Sequence, residues 1–223
     1  MLHKSFRLGL LPALLLTVFA MGCQKADVNA LAKRITTRTE LIGGPSALGE
    51  VGDFLLENAH IRVVVQDKGF SRGFGVHGGS LIDVDRVRAS RTGTSGGGRG
   101  RDQFGEMFPI AFLQALAPDS VEVQNDGTDG AEATVRVSGI GGDFFSMTKA
   151  LNQAILNSHE LPEFVLDALS VDKLNGEPTI RYDVIYGLKP TDRYVRVTVR
   201  MTNISENTLQ VPSSAGELAL SAL

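Results

Sequence analysis

A period-two alternation of apolar and polar residues, cut at short intervals by turn residues, constrains this chain more than any other feature. Ser120-Val-Glu-Val-Gln124 runs into Asn125-Asp-Gly127, and Ala133-Thr-Val-Arg-Val-Ser138 runs into the glycines between Gly139 and Gly142. Thr179-Ile-Arg-Tyr-Asp-Val-Ile-Tyr186 is followed by Lys189-Pro-Thr-Asp192 and then by Tyr194-Val-Arg-Val-Thr-Val-Arg-Met201. In that last run Val195, Val197, Val199 and Met201 share one face, and Arg196, Thr198 and Arg200 the other. Such alternation marks half-buried antiparallel strands, and many short strands separated by Gly/Asn/Asp turns predict an all-β, mainly antiparallel β-sandwich. No strand-helix-strand repeat interrupts the pattern, which excludes an α/β fold.

The N-terminal half extends the reading. Asp53–Asn58 and Ile61–Gln66 are expected as two strands joined at Asn58-Ala-His60, and Ser80–Asp85 as a third. Recurring glycines between Asp67 and Gly79 separate the second from the third. Arg91–Asp102 is almost devoid of apolar side chains and is expected as a mobile surface loop. Phe104–Leu116 is apolar and fits strand or helix equally, and Phe144–Leu156 is expected to continue the strand pattern.

Residues 1–22 have a different character. His3, Lys4 and Arg7 precede an apolar run from Leu8 to Met21, shorter than the roughly 20 residues a membrane-spanning helix needs, so this segment reads as a signal helix. It ends at Gly22-Cys23, and Cys23 is the only cysteine. A single thiol in an exported chain cannot form an internal disulfide. The small residues Ala20 and Gly22 before it resemble the lipobox of bacterial lipoproteins, although Ala20 and Met21 stand where that box prefers a leucine and a small residue. The resemblance implies that Cys23 carries acyl chains and anchors the protein to a membrane of a bacterial envelope. Residues 23–39 are expected as a tether and 40–223 as the β domain.

Charge excludes several functions. With 22 basic and 25 acidic residues the net charge is -3, which offers no case for nucleic-acid binding or for a polybasic membrane patch. The sequence lacks Gly-x-x-x-x-Gly-Lys-Ser/Thr and frames no βαβ unit around Gly73-Phe-Gly75, so nucleotide binding is not expected. His60, His77 and His159 show no metal-ligand spacing and Cys-x-x-Cys is missing, so neither a metal nor another cofactor is expected.

Tyr182–Leu188, Tyr194–Asn203 and Asn207–Pro212 resemble the galactose-mutarotase-like β-sandwich superfamily, in which a strand pair of this style ends in a threonine-asparagine turn. Together with Leu55–Val65 and Gly78–Asp83 they are also similar to the N-terminal β region of large envelope lipoproteins of myxobacterial type. The resemblance implies a carbohydrate-related role by analogy. The superfamily's catalytic histidine and carboxylate match no motif here, so no catalytic residue carries over.

Two groups are candidate ligand-binding residues. His77 follows a Gly-rich turn, and Asp83 and Asp85 share a strand face two residues apart, a trio suited to acid/base work or to simple turn capping. Arg99 and Arg101 could grip an anion bidentately or stand solvated on a loop. Asn203-Ile-Ser205 has glycosylation spacing and is expected as a turn without sugar. The expected function is a membrane-anchored, non-catalytic binding or scaffolding module whose partner is a glycan or an envelope protein. The alternatives are a carbohydrate-active enzyme with a His/Asp pair and, from the abrupt end at Leu223, an accessory piece of a longer multidomain lipoprotein with its sandwich cut short.

Overall fold

A computed structural model describes residues 29–88, 99–111, 114–143 and 179–208. The expected signal segment, Cys23 and the expected strand at Phe144–Leu156 lie outside them. The described residues are all-β, in two antiparallel sheets whose neighbours follow chain order. The four-stranded sheet holds β1 (Leu31–Arg34), β2 (Phe54–Glu57), β3 (Ile61–Val65) and β4 (Leu81–Arg86). The five-stranded sheet holds β5 (Ile110–Ala111), β6 (Gln114–Asn125), β7 (Ala133–Asp143), β8 (Ile180–Leu188) and β9 (Arg196–Asn203). Among the described residues no helix is long and apolar enough to cross a membrane.

The alternation puts one face of each sheet into a shared core. Phe54, Leu56, Val63, Val65 and Leu81 meet Val135, Val137, Tyr182, Val184 and Tyr186 between the sheets, which is a sandwich arrangement. The four-stranded sheet is buried on its other face too. Loop residues Ile35 and Ile42, with Leu41 and Leu48 beside them, cover Leu55, Val64 and Ile82 there. Burial on both faces explains why β3 reads Ile-Arg-Val-Val-Val without alternation and is buried throughout.

Three expectations need correction. Residues 31–34 belong to the sheet rather than to a tether, since β1 pairs in register with β2 from Leu31 opposite Glu57 to Arg34 opposite Phe54. The glycines at 139–142 do not break the strand. β7 runs through them because side chains there would collide with the β6 carbonyl of Ala117 and with the Gln114 side chain. The part of the expected mobile loop that is described, residues 99–102, is docked. The amides of Gly100 and Asp102 donate to the carbonyls of Ile42 and Gly43, and the Asp102 side chain is fully buried. Of the ambiguous run Phe104–Leu116, Ile110–Ala111 and Gln114–Leu116 are strand, in β5 and β6, and Met107 forms an isolated bridge with Leu81.

One end of the sandwich gathers several connections. Ala32 N donates to Asp126 O in the β6–β7 turn, and Asn58 Nδ2 in the β2–β3 turn donates to the carbonyls of Lys189 and Asp192 in the β8–β9 turn, each at 2.8 Å. The described chain enters the fold at this end, because Leu31 lies opposite the last residue of β2. The Gly-rich connection between β3 and β4 lies at the opposite end, beyond Arg34 and Val65.

Candidate functional site

The outer face of the five-stranded sheet carries a polar site. Register aligns Glu122, Arg136, Ile185 and Thr198 in one row across β6 to β9, and Ser120, Ser138, Asp183 and Arg200 in the next. Gln124, Arg136, Asp183, Ile185, Thr198 and Arg200 line a shallow depression of about 240 Å³ between these rows. Its walls are strand residues, so their positions are set by the hydrogen-bonded ladder.

Asp183 is the hub. Its carboxylate accepts from Ser138 Oγ at 2.7 Å, from Arg136 Nε at 3.1 Å and from Arg136 Nη2. The Ser138 hydroxyl, then the Arg136 guanidinium, hold Asp183 below the usual carboxylate range, and Arg200 adds to the effect. The charge is therefore fixed in place at neutral pH. Around it stand an amide, a hydroxyl and two guanidinium groups, with the apolar side chain of Ile185 among them. These groups can donate to and accept from hydroxyls or carboxylates while one apolar patch receives a C–H surface.

The sequence-predicted candidates are distributed differently. Asp83 and Asp85 do share the outer face of β4, yet both serve the backbone. Asp83 accepts from the amides of Leu48 at 2.7 Å and Gly49 at 3.1 Å, and Asp85 accepts from Arg101 N at 2.8 Å and from the Arg88 guanidinium. His77 is half-buried against the β6–β7 pair, where a Cβ on Gly142 would come within 2.5 Å of its Nε2. The two carboxylates thus take their hydrogen bonds from the loops over β4, while the imidazole lies beside Gly142 of the five-stranded sheet. Arg99 and Arg101 have exposed side chains, and the part of that segment that binds is the Arg101 backbone. Cys23 lies outside the described residues.

The glycines near Gly73 cradle an internal carboxylate. Glu106 accepts from Ser71 Oγ and Ser80 Oγ, both at 2.6 Å, and from Gly75 N, and a Cβ at Gly73 would collide with it. Among the described residues no group of three or more His, Cys, Asp or Glu could hold a metal ion. The loop ends in two exposed rings, Phe70 and Phe74.

Arg196, Thr198 and Arg200 were legible as a wet strand face, but their neighbours Arg136 and Asp183 were not. The signal that could have found them is the same alternation in β7 and β8, read together with a pairing register. No protein-family model, curated protein or solved structure matches the chain.

Proposed function

We propose that this chain is an exported, lipid-anchored β-sandwich that acts as a non-catalytic binding module at a bacterial envelope, with the outer face of its five-stranded sheet turned to a carbohydrate. The observation that carries the binding reading is the depression around Asp183. Its rigid polar groups surround one apolar patch, the chemistry that a hydroxyl-rich ring with a C–H face asks for. The anchoring reading rests on the apolar run before Gly22-Cys23. Membrane attachment through Cys23 and glycan capture by the sheet face are separable properties of one molecule.

Two measurements test the two halves. Intact-mass analysis of the protein from a membrane fraction should show a mature N-terminus at Cys23 with added acyl mass, and an unmodified mass would remove the anchor. A glycan array probed with the protein should show retention that Arg200→Ala and Asp183→Asn both weaken. Retention indifferent to both substitutions would take the ligand away from this face.

A further inference from the structure

At the end of the sandwich where the described chain enters, a second cleft of about 290 Å³ is lined by Ala59, His60, Ile61, Arg86, Val87 and Arg193. Three of these six side chains are basic or imidazole, and the remaining three are apolar. Arg86 closes β4, opposite Ile61 in the register, and Arg193 follows the β8–β9 turn that Asn58 ties to the β2–β3 turn. The cleft therefore bridges both sheets and is held by hydrogen bonds at its rim, including Val87 N to His60 O at 2.8 Å.

Among the described residues its charge has no ion-pair partner. The neighbouring arginines have carboxylates: Arg196 pairs with Glu132 and lies 3.8 Å from Asp192, Arg88 pairs with Asp85, and Arg62 pairs with Glu57. Among the described residues neither Arg86 nor Arg193 has an ion-pair partner, and Lys189 stands exposed in the adjoining turn. Two guanidinium forks lining one cleft, with the apolar side chains of Ala59, Ile61 and Val87 beside them, suit an anion that carries an apolar part.

Position identifies the source of that anion. From Cys23 to Leu31 there are eight residue steps, which cannot span more than about 29 Å. An anchor at Cys23 would keep this end of the sandwich turned to the membrane, with the Gly-rich loop and its exposed Phe70 and Phe74 pointing away. We propose that the cleft formed by His60, Arg86 and Arg193 binds the phosphate of an anionic membrane lipid, seating the domain on the bilayer in a fixed orientation. This inference rests on the anchoring reading above for its geometry, and the cleft chemistry stands by itself.

Native mass spectrometry of the full protein in detergent, with phosphatidylglycerol or phosphatidylcholine added, reads both properties separately. Acyl mass on the chain reports the anchor, and non-covalent lipid adducts report the cleft. The expected result is preferential retention of phosphatidylglycerol, reduced roughly tenfold or more in Arg86→Ala/Arg193→Ala and in Arg193→Glu, since each basic residue near an anionic lipid surface contributes about fivefold. Arg34→Ala/Lys68→Ala, which removes the same charge from exposed positions at the far end, should retain the lipid as the native protein does. Equal retention of both lipids, or undiminished phosphatidylglycerol binding in the cleft variants with native thermal unfolding, would overturn the proposal. Saturable binding of inorganic phosphate without any lipid adduct would also overturn it, by assigning the cleft to a free anion.

Discussion

The phenol of Tyr186, on β8, donates a 3.1 Å hydrogen bond to the carbonyl of Gly79, just before β4, through the core between the two sheets. The two residues are 107 positions apart, and the ring is fully buried. Burial pushes the Tyr186 hydroxyl far above its ordinary pKa, so it stays a donor at every pH the fold survives. Tyr186→Phe would strand the Gly79 carbonyl in an apolar setting. The expected loss is about 1–3 kcal/mol in urea unfolding with little change in denaturant sensitivity.

Gly127 has φ +80° in the β6–β7 turn, and a Cβ there would collide with the carbonyl of Ala30. That turn also receives Ala32 N on Asp126 O and so holds β1 against the second sheet. Gly127→Ala is expected to cost more than about 1 kcal/mol, from backbone strain together with displacement of β1. Hydrogen exchange should show the loss of protection concentrated at Ala32 and its β2 neighbours, and an even loss over the whole fold would refute the local account.

Asp183 and Arg136 are partly exposed, so their pair contributes little to folding. Asp183→Asn is expected to change unfolding free energy by less than about 1 kcal/mol. The same substitution frees Arg136 to move and removes the acceptor at the centre of the depression. Binding of the cognate glycan should fall while the melting curve stays nearly native, and a parallel drop in both would make Asp183 a structural residue.

What the sequence revealed depended on how far apart the interacting partners are. β2, β3, β4, β8 and β9 were readable from local alternation or β-branched density. β1 was not, because Leu31-Ala-Lys-Arg34 has no such signature; its strand conformation comes from pairing with β2, helped by Arg34 stacking 5.1 Å from the Phe54 ring centroid. The Asp183 hub joins residues 47 positions apart, a pairing that no local pattern announces. His77, Asp83 and Asp85 were close in sequence and looked like one cluster. The loops over β4 instead supply amides to the carboxylates, and the β3–β4 connection sets the imidazole beside Gly142. Glycines at 139–142 resembled a break because spacing alone cannot distinguish a turn from close strand packing.

Asp102 gives the fold a distinctive acid response. Its side chain is fully buried, Oδ1 accepts from Val84 N at 2.9 Å and Phe104 N at 3.1 Å, and Oδ2 has no hydrogen-bond partner. Burial raises its pKa above 3.8 and that of Asp83 likewise, each opposed by the backbone amides it accepts from and reinforced by carboxylates nearby. A carboxyl whose folded pKa lies above its unfolded value binds its proton more tightly in the native state, so stability falls as pH rises through the folded value and is recovered on acidification. Glu40 works in the opposite sense. Lys33 and the amides of Thr36 and Thr37 hold it at about 2 against 4.5, so its contribution is present above 4.5 and lost on the way down to about 2. Urea unfolding should therefore show stability rising as pH falls through the folded pKa values of Asp83 and Asp102 toward 3.8, with the solvent-screened contribution of Glu40 lost between 4.5 and about 2. Asp102→Asn keeps the Oδ1 acceptor and removes the charge, so it should flatten the upper part of this profile. Asp102→Ala removes the acceptor for two buried amides and should cost about 2–4 kcal/mol at every pH. An Asp102→Asn profile with the native slope throughout the acid limb above pH 3.8 would show that Asp102 is not one of the groups that titrate there.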